Sequence, residues 1–174
     1  MNNVTLIGMP GSGKSTIGVI LAKALGYQFL DTDLLIQKEE KRKLSEIIEQ
    51  EGPERFKEIE NRVNASVQVS DTVIAPGGSV IYCEEAMQHL KSIGKVVYLK
   101  LSLDSLSKRL GNLKGRGVLL KDGQTLSDLY EERVPLYEKY ADICICETGL
   151  GVEQTVDQVV EKLNLMNNKQ KSNE

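Results

Sequence analysis

The chain has 174 residues, 40% apolar and 27% charged, with a net charge of −3. That length and balance suit one globular domain that buries a core without disulfide or metal staples. The mild acidity argues against a nucleic-acid binder, which carries a basic surplus. No apolar run reaches the ~20 residues of a membrane span and the N-terminus lacks a basic leader. The expected form is therefore a soluble cytoplasmic monomer with no membrane or nucleic-acid partner.

Short β-type runs alternate with helical ones. "VTLIGM" (4–9) predicts a first strand, and "KSTIGVILAKALG" a helix closed by Gly26. "YQFLD" (27–31) is the second strand, followed by helical "LSEIIEQEG" and "ERFKEIENRVNASVQ". "DTVIAP" (71–76) is the third strand and "CEEAMQHLKSIG" the next helix. "KVVYLKL" (95–101) then precedes helical "LDSLSKRLG". After a glycine-rich stretch come the helix "TLSDLYEERVPLYEKYA", the strand "DICICE" (142–147) and the helix "VEQTVDQVVEKLNL". Three of the strands are nearly continuous apolar runs, as parallel strands covered on both faces must be. The alternation implies right-handed crossovers and a doubly wound α/β sheet of about five strands. One domain is expected over 1–166, with 167–174 a polar, frayed C-terminal tail.

The three cysteines cannot form a closed set of disulfides. Cys144 and Cys146 alternate along the last strand and read, like Cys83, as buried thiols rather than metal ligands. His89, in polar "AMQHLKSIG", reads as a surface residue.

The strongest signal is "GMPGSGKST", Gly8 to Thr16. It fits G-x-x-x-x-G-K-[ST] and falls between a strand and an amphipathic helix. Glycines there let successive backbone N–H groups approach phosphate oxygens, and the helix N-terminus adds partial positive charge. Gly11, Ser12, Gly13, Lys14, Ser15 and Thr16 are the expected cradle of ATP. Lys14 reaches the β- and γ-phosphates, and the Ser15 hydroxyl faces Mg²⁺.

Strand two ends in "FLDTD", which places Asp31 and Asp33 at the carboxyl edge of the sheet, where ligands of open α/β sheets bind. While the chain stays extended, a period of two points both carboxylates the same way. One then orients Mg²⁺, directly or through water, and the other accepts a proton from an attacking hydroxyl. The alternative is that Asp33 simply N-caps a following helix "LLIQKEE".

From Ser105 to Lys121 there are five basic residues and no acidic one, and the middle is rich in glycine. Such a stretch suits a mobile lid, about 110–124, that closes over the phosphates and sets Arg116 on the transferring group. A solvated surface loop is the alternative.

The P-loop, "DTD", "EGPERFKEIE", "VIAPGGSV", "RLGNLKGR" and "ERVPLYEKYAD", in this order and spacing, resemble the shikimate kinases, over about residues 3–163. The resemblance implies a P-loop kinase of nucleoside-monophosphate-kinase type, with a five-stranded parallel sheet and a mobile lid. It implies ATP and Mg²⁺, with shikimate 3-phosphate as product. It assigns Asp31 to Mg²⁺, Asp33 to the acceptor hydroxyl as base, Arg116 to the lid, Arg109 to the adenine side, and Arg133 to the acceptor's carboxylate. The acceptor-binding segment falls at about 32–62, with Asp33, Lys57, Gly77, Gly78 and Arg133 as substrate contacts.

The chain departs from the family pattern at three places. Lys57 stands where "F-R-x-x-E" has arginine. Pro76 precedes Gly77 and Gly78 where a glycine run is usual, removing a backbone donor. The lid's Arg-Pro-Leu is Arg116-Gly117-Val118. Lysine keeps the charge but is a point donor without arginine's bidentate fork, with Glu60, one turn on, expected to orient its ammonium. Three readings follow: a shikimate kinase; a sibling kinase for another hydroxy acid, such as a gluconate-like polyol acid; or an ATP-binding regulatory module. Asp33, Lys57 and Arg133 together count against the last, which needs neither a base nor a second anion site.

Overall fold

The computed structural model describes residues 2–110, 121 and 123–171. Five parallel strands form one sheet: β1 (Asn3–Ile7), β2 (Gln28–Asp31), β3 (Thr72–Ala75), β4 (Gly94–Lys100) and β5 (Ile143–Cys146). Their order is β2-β3-β1-β4-β5, with Val4 opposite both Val73 and Lys95, and Asp31 opposite Ala75. All residues of β1 and β3 are buried, as central strands covered on both faces require.

One face packs under α1 (Lys14–Leu25) and α7 (Val152–Lys171), where Ile17, Leu21, Val156 and Val159 meet Val4, Leu6 and Val97. On the other face Ile7, Ile74 and Tyr98 meet α4 (Glu84–Ile93), α5 (Leu103–Leu110) and α6 (Leu126–Tyr140). A separate small core of Ile36, Ile47, Phe56, Ile59 and Val63 joins α2 (Thr32–Glu40) to α3 (Leu44–Ala65). The latter is two helices meeting at Gly52 (φ 84°, ψ 169°) followed by Pro53, the expected helix break.

The strand and helix expectations hold, with three differences. Along β5, Ile143 and Ile145 take the buried face, so Cys144 and Cys146 are exposed rather than buried. A strand has two faces, and on this edge strand the isoleucines occupy the one covered by α7. His89 is half-buried, its Nε2 2.6 Å from Val67 O. The last helix, expected to end at Leu165, runs on through Lys171. No described helix is long and apolar enough to cross a membrane.

Candidate active site

The phosphate-binding loop leaves β1 through Gly8, whose φ is 156°. A Cβ there would stand 2.7 Å from Leu99 O on β4, so only glycine lets the loop lie against the sheet edge. The turn closes with Ser12 N donating to Met9 O (3.0 Å), and Gly13, at φ 91°, starts α1. Lys14 folds back over the loop, its Nζ donating to Gly8 O (2.8 Å) and Met9 O (3.0 Å). Burial lowers its pKa from 10.5 to about 8, against the opposing pull of Asp33. It is therefore cationic at neutral pH, and an anion bound at the loop strengthens that state.

Asp31 ends β2 and caps α2. Its Oδ1 accepts from Asp33 N (3.0 Å) and Leu34 N (3.3 Å), while Oδ2 accepts from Ser15 Oγ (3.0 Å). The chain turns helical at Thr32. The period-two argument for Asp31 and Asp33 therefore fails, and it is Asp31, not Asp33, that caps. Asp33 sits in the first helical turn with its Oδ1 buried and without a hydrogen-bond partner among the described residues. Burial, with Asp31 adding, raises its pKa from 3.8 to about 6, while Lys14 pulls it down.

Asp31 and Ser15 fit Mg²⁺. Both offer hard oxygen donors beside the phosphate cradle, and no described group of three His, Cys, Asp or Glu forms a closed metal cage. Mg²⁺ is ordinarily held by one or two protein oxygens plus phosphates and water.

Two cavities lie on either side of the Gly77–Ser79 turn. The first, about 310 Å³, is lined by the phosphate loop, Asp31, Asp33, Pro76, Gly77 and Gly78. The second, about 410 Å³, is lined in part by Lys57, Glu60, Ser79, Tyr82, Glu132 and Arg133. Predicted substrate contacts are thus brought together in two groups: Asp33, Gly77 and Gly78 on the phosphate side, Lys57 and Arg133 on the other. Arg109, at the end of α5, places Nη1 3.5 Å from Gly11 O and Ser12 O, on the flank of the loop. Arg116 and most of the expected lid lie outside the described residues.

Glu60 departs from expectation. It does not orient Lys57. It is fully buried, its Oε2 accepts from Ser79 Oγ (2.7 Å), and its Oε1 has no partner among the described residues. Burial raises its pKa from 4.5 to about 7, with Asp33 adding and Arg133 and Lys14 opposing. Lys57 is exposed, and its ammonium has no ion pair or hydrogen bond among the described residues. Arg133 is 2% exposed.

Glu147, just past β5, escaped sequence reading. It is 2% exposed, one carboxylate oxygen is unpartnered among the described residues, and burial raises its pKa to about 7 against Arg109 and Lys14. A glutamate after a strand carries no local mark of burial; only the approach of α1 and α5 creates it. Tyr82 and Tyr137 escaped for the same reason.

The shikimate kinase family model matches residues 10–164. The chain belongs to the shikimate kinase family. A shikimate kinase of Thermodesulfovibrio yellowstonii is 34% identical over 171 residues, covering 97% of this chain and 98% of the relative. One from Clostridium botulinum is 41% identical over 154 residues, covering 86% and 89%. The solved shikimate kinase of Acinetobacter baumannii, in complex with shikimate, superposes with a TM-score of 0.82 at 34% identity, over 96% of this chain and 94% of that one. As a shikimate kinase family member, the chain is a phosphotransferase that uses ATP with Mg²⁺ and acts on a hydroxyl group.

Proposed function

We infer that this kinase transfers the γ-phosphoryl group of ATP to a hydroxyl of shikimate, giving shikimate 3-phosphate and ADP. One observation carries the reading: the buried Asp33 Oδ1, unpartnered among the described residues, lines the phosphate cradle and lies across Gly77 from Glu60, which lines the cavity with Arg133 and Lys57. An acceptor with a hydroxyl at one end and a carboxylate at the other fits that layout.

Asp33 accepts the hydroxyl proton as the acceptor oxygen bonds to the γ-phosphorus and the bond to the β–γ bridging oxygen breaks. A pKa near 6 leaves it ionised at neutral pH yet basic enough to take the proton. Lys14 and the loop N–H groups hold charge on the phosphate oxygens. Ser15 and Asp31 would hold Mg²⁺ beside the triphosphate, where the ion would supply charge neutralisation for the phosphate oxygens. Arg133 and Lys57 hold the acceptor's carboxylate, and catalysis is chiefly positioning and electrostatics. Arg109 borders the adenine, and Arg116 supplies a further cation over the transferring group. A cytoplasmic monomer is the proposed form; among the described residues the exposed large apolar side chains are dispersed over α1, α2 and α7, which supports the monomer, and sedimentation as a dimer would overturn it.

A coupled ADP-release assay tests the acceptor. Turnover must depend on shikimate, and Asp33→Asn must abolish it while ATP binding persists. Turnover of another hydroxy acid with none of shikimate would reassign the acceptor. Release without any acceptor would reduce the chain to an ATPase module.

A further inference from the structure

Among the described residues, Arg133 is a guanidinium buried without an ion pair. It is 2% exposed, Nε has no hydrogen-bond partner among the described residues, and no described carboxylate bridges it. Its plane is what a carboxylate ligand would read, because two parallel N–H groups meet two oxygens only in register. Lys57 and Lys121, which also line this cavity, are point charges that impose no plane, and Lys121 is engaged by Glu132 (3.8 Å).

What fixes Arg133 is aromatic. Tyr82 ends the short turn Val80–Tyr82, and its ring centroid lies 5.4 Å from the Arg133 guanidinium carbon. The ring is pinned at both ends. Its backbone N–H donates to Ser79 O (3.0 Å), and its hydroxyl donates to Glu132 Oε1 (2.6 Å). Glu132 is held in turn at Oε2 by Gln124 Nε2 (2.9 Å). Nearby, the Tyr137 hydroxyl donates to Gly78 O (2.7 Å), and the guanidinium faces this hydroxyl too. A guanidinium over a fixed ring gains cation–π attraction and loses rotational freedom before any ligand arrives.

We propose that Tyr82 is a positioning residue for acceptor recognition: its ring sets the plane of Arg133, supplying the orientation that Lys57 does not. Carboxylate geometry is then read by one oriented arginine, while Lys57 contributes charge alone. The proposal rests on the assignment of this cavity to the acceptor's carboxylate.

Steady-state kinetics of Tyr82→Phe, Tyr82→Leu, Lys57→Arg and the Tyr82→Leu/Lys57→Arg pair test it. Losing the ring (Leu) raises KM for shikimate about tenfold, leaves KM for ATP level, and changes kcat little. Phe keeps the ring and stays within about threefold. Lys57→Arg restores most of the loss in the Leu background by returning a planar fork. The preference for shikimate over its uncharged methyl ester also shrinks in Tyr82→Leu, which a merely structural defect would not produce. Tyr82→Met replaces Leu if that variant fails to fold. An unchanged KM for shikimate in Tyr82→Leu, an equal rise in KM for ATP, or a Phe variant as poor as Leu would overturn the proposal. Failure of the acceptor assignment looks different: wild type would then ignore shikimate, and the same variants would be read on whichever acid it phosphorylates.

Discussion

Asp33 and Glu60 aim unpartnered carboxylate oxygens at the same point. A Cβ on Gly77 would lie 2.9 Å from Asp33 Oδ1 and 2.8 Å from Glu60 Oε1. Asp33 lines the phosphate-side cavity and Glu60 the second, and the missing side chain between them lets both stay where they are.

Gly77→Ala should therefore cripple the enzyme without unfolding it. Gly77 is not among the residues with positive φ, so alanine meets no backbone strain, only the two carboxylates. Moving Asp33 by a fraction of an ångström costs on the order of 10²-fold in kcat. KM for ATP and the melting temperature should change little. Wild-type kcat in the alanine variant would show that Asp33 need not stand where it does.

The pH–rate profile follows from Asp33. Burial and Asp31 set its pKa at about 6; below that the carboxylate is protonated and cannot take the hydroxyl's proton. Log kcat/KM for shikimate should fall with unit slope below about pH 6. Glu60, at about 7 and close by, titrates together with it, so the limb belongs to the pair. A profile flat down to pH 4.5 would remove Asp33 from the role of base.

Stability of the ligand-free enzyme should fall as pH rises from about 5 to about 7.5. Glu147 and Glu60 have folded values near 7 against an ordinary 4.5. Over that interval the native state holds protons that the unfolded chain has released, so raising pH favours unfolding until the folded groups ionise. Glu147→Gln removes one buried charge. It should stabilise by about 1–3 kcal/mol at pH 8 and hardly at all at pH 5. Thermal melts at both pH values check this, and equal shifts at the two would refute burial of the charge as the cause.

Asp31 caps α2, and its proposed part in holding Mg²⁺ can be separated from that cap. Asp31→Asn keeps a side-chain oxygen that caps α2, so the fold should keep its stability while the Mg²⁺ concentration for half-maximal rate rises. Asp31→Ala loses the cap as well and should cost about 1 kcal/mol further. Magnesium titrations beside chemical denaturation separate the two, and equal stability of both variants would show that the cap contributes nothing.

Read as a sequence, the chain already displays its strand–helix order, its phosphate loop and the Asp31–Asp33 pair at the end of β2, because these are local, whereas Lys57 and Arg133 are marked only by the family resemblance. Glycine spacing, apolar periodicity and a P-loop between a strand and a helix are written in consecutive residues. The sequence does not show where a side chain ends after the chain has turned. The helix starting at Thr32 changed which aspartate caps and left Asp33 unpartnered. Glu60 went to Ser79 rather than to Lys57, and the isoleucines of β5 turned the cysteines outward. The pinning of Arg133 by Tyr82 joins residues from two distant segments. Burial and partnership are properties of approach between elements, so local pattern determined which chemistry the chain carries, and packing decided which groups are left charged, buried and free to use it.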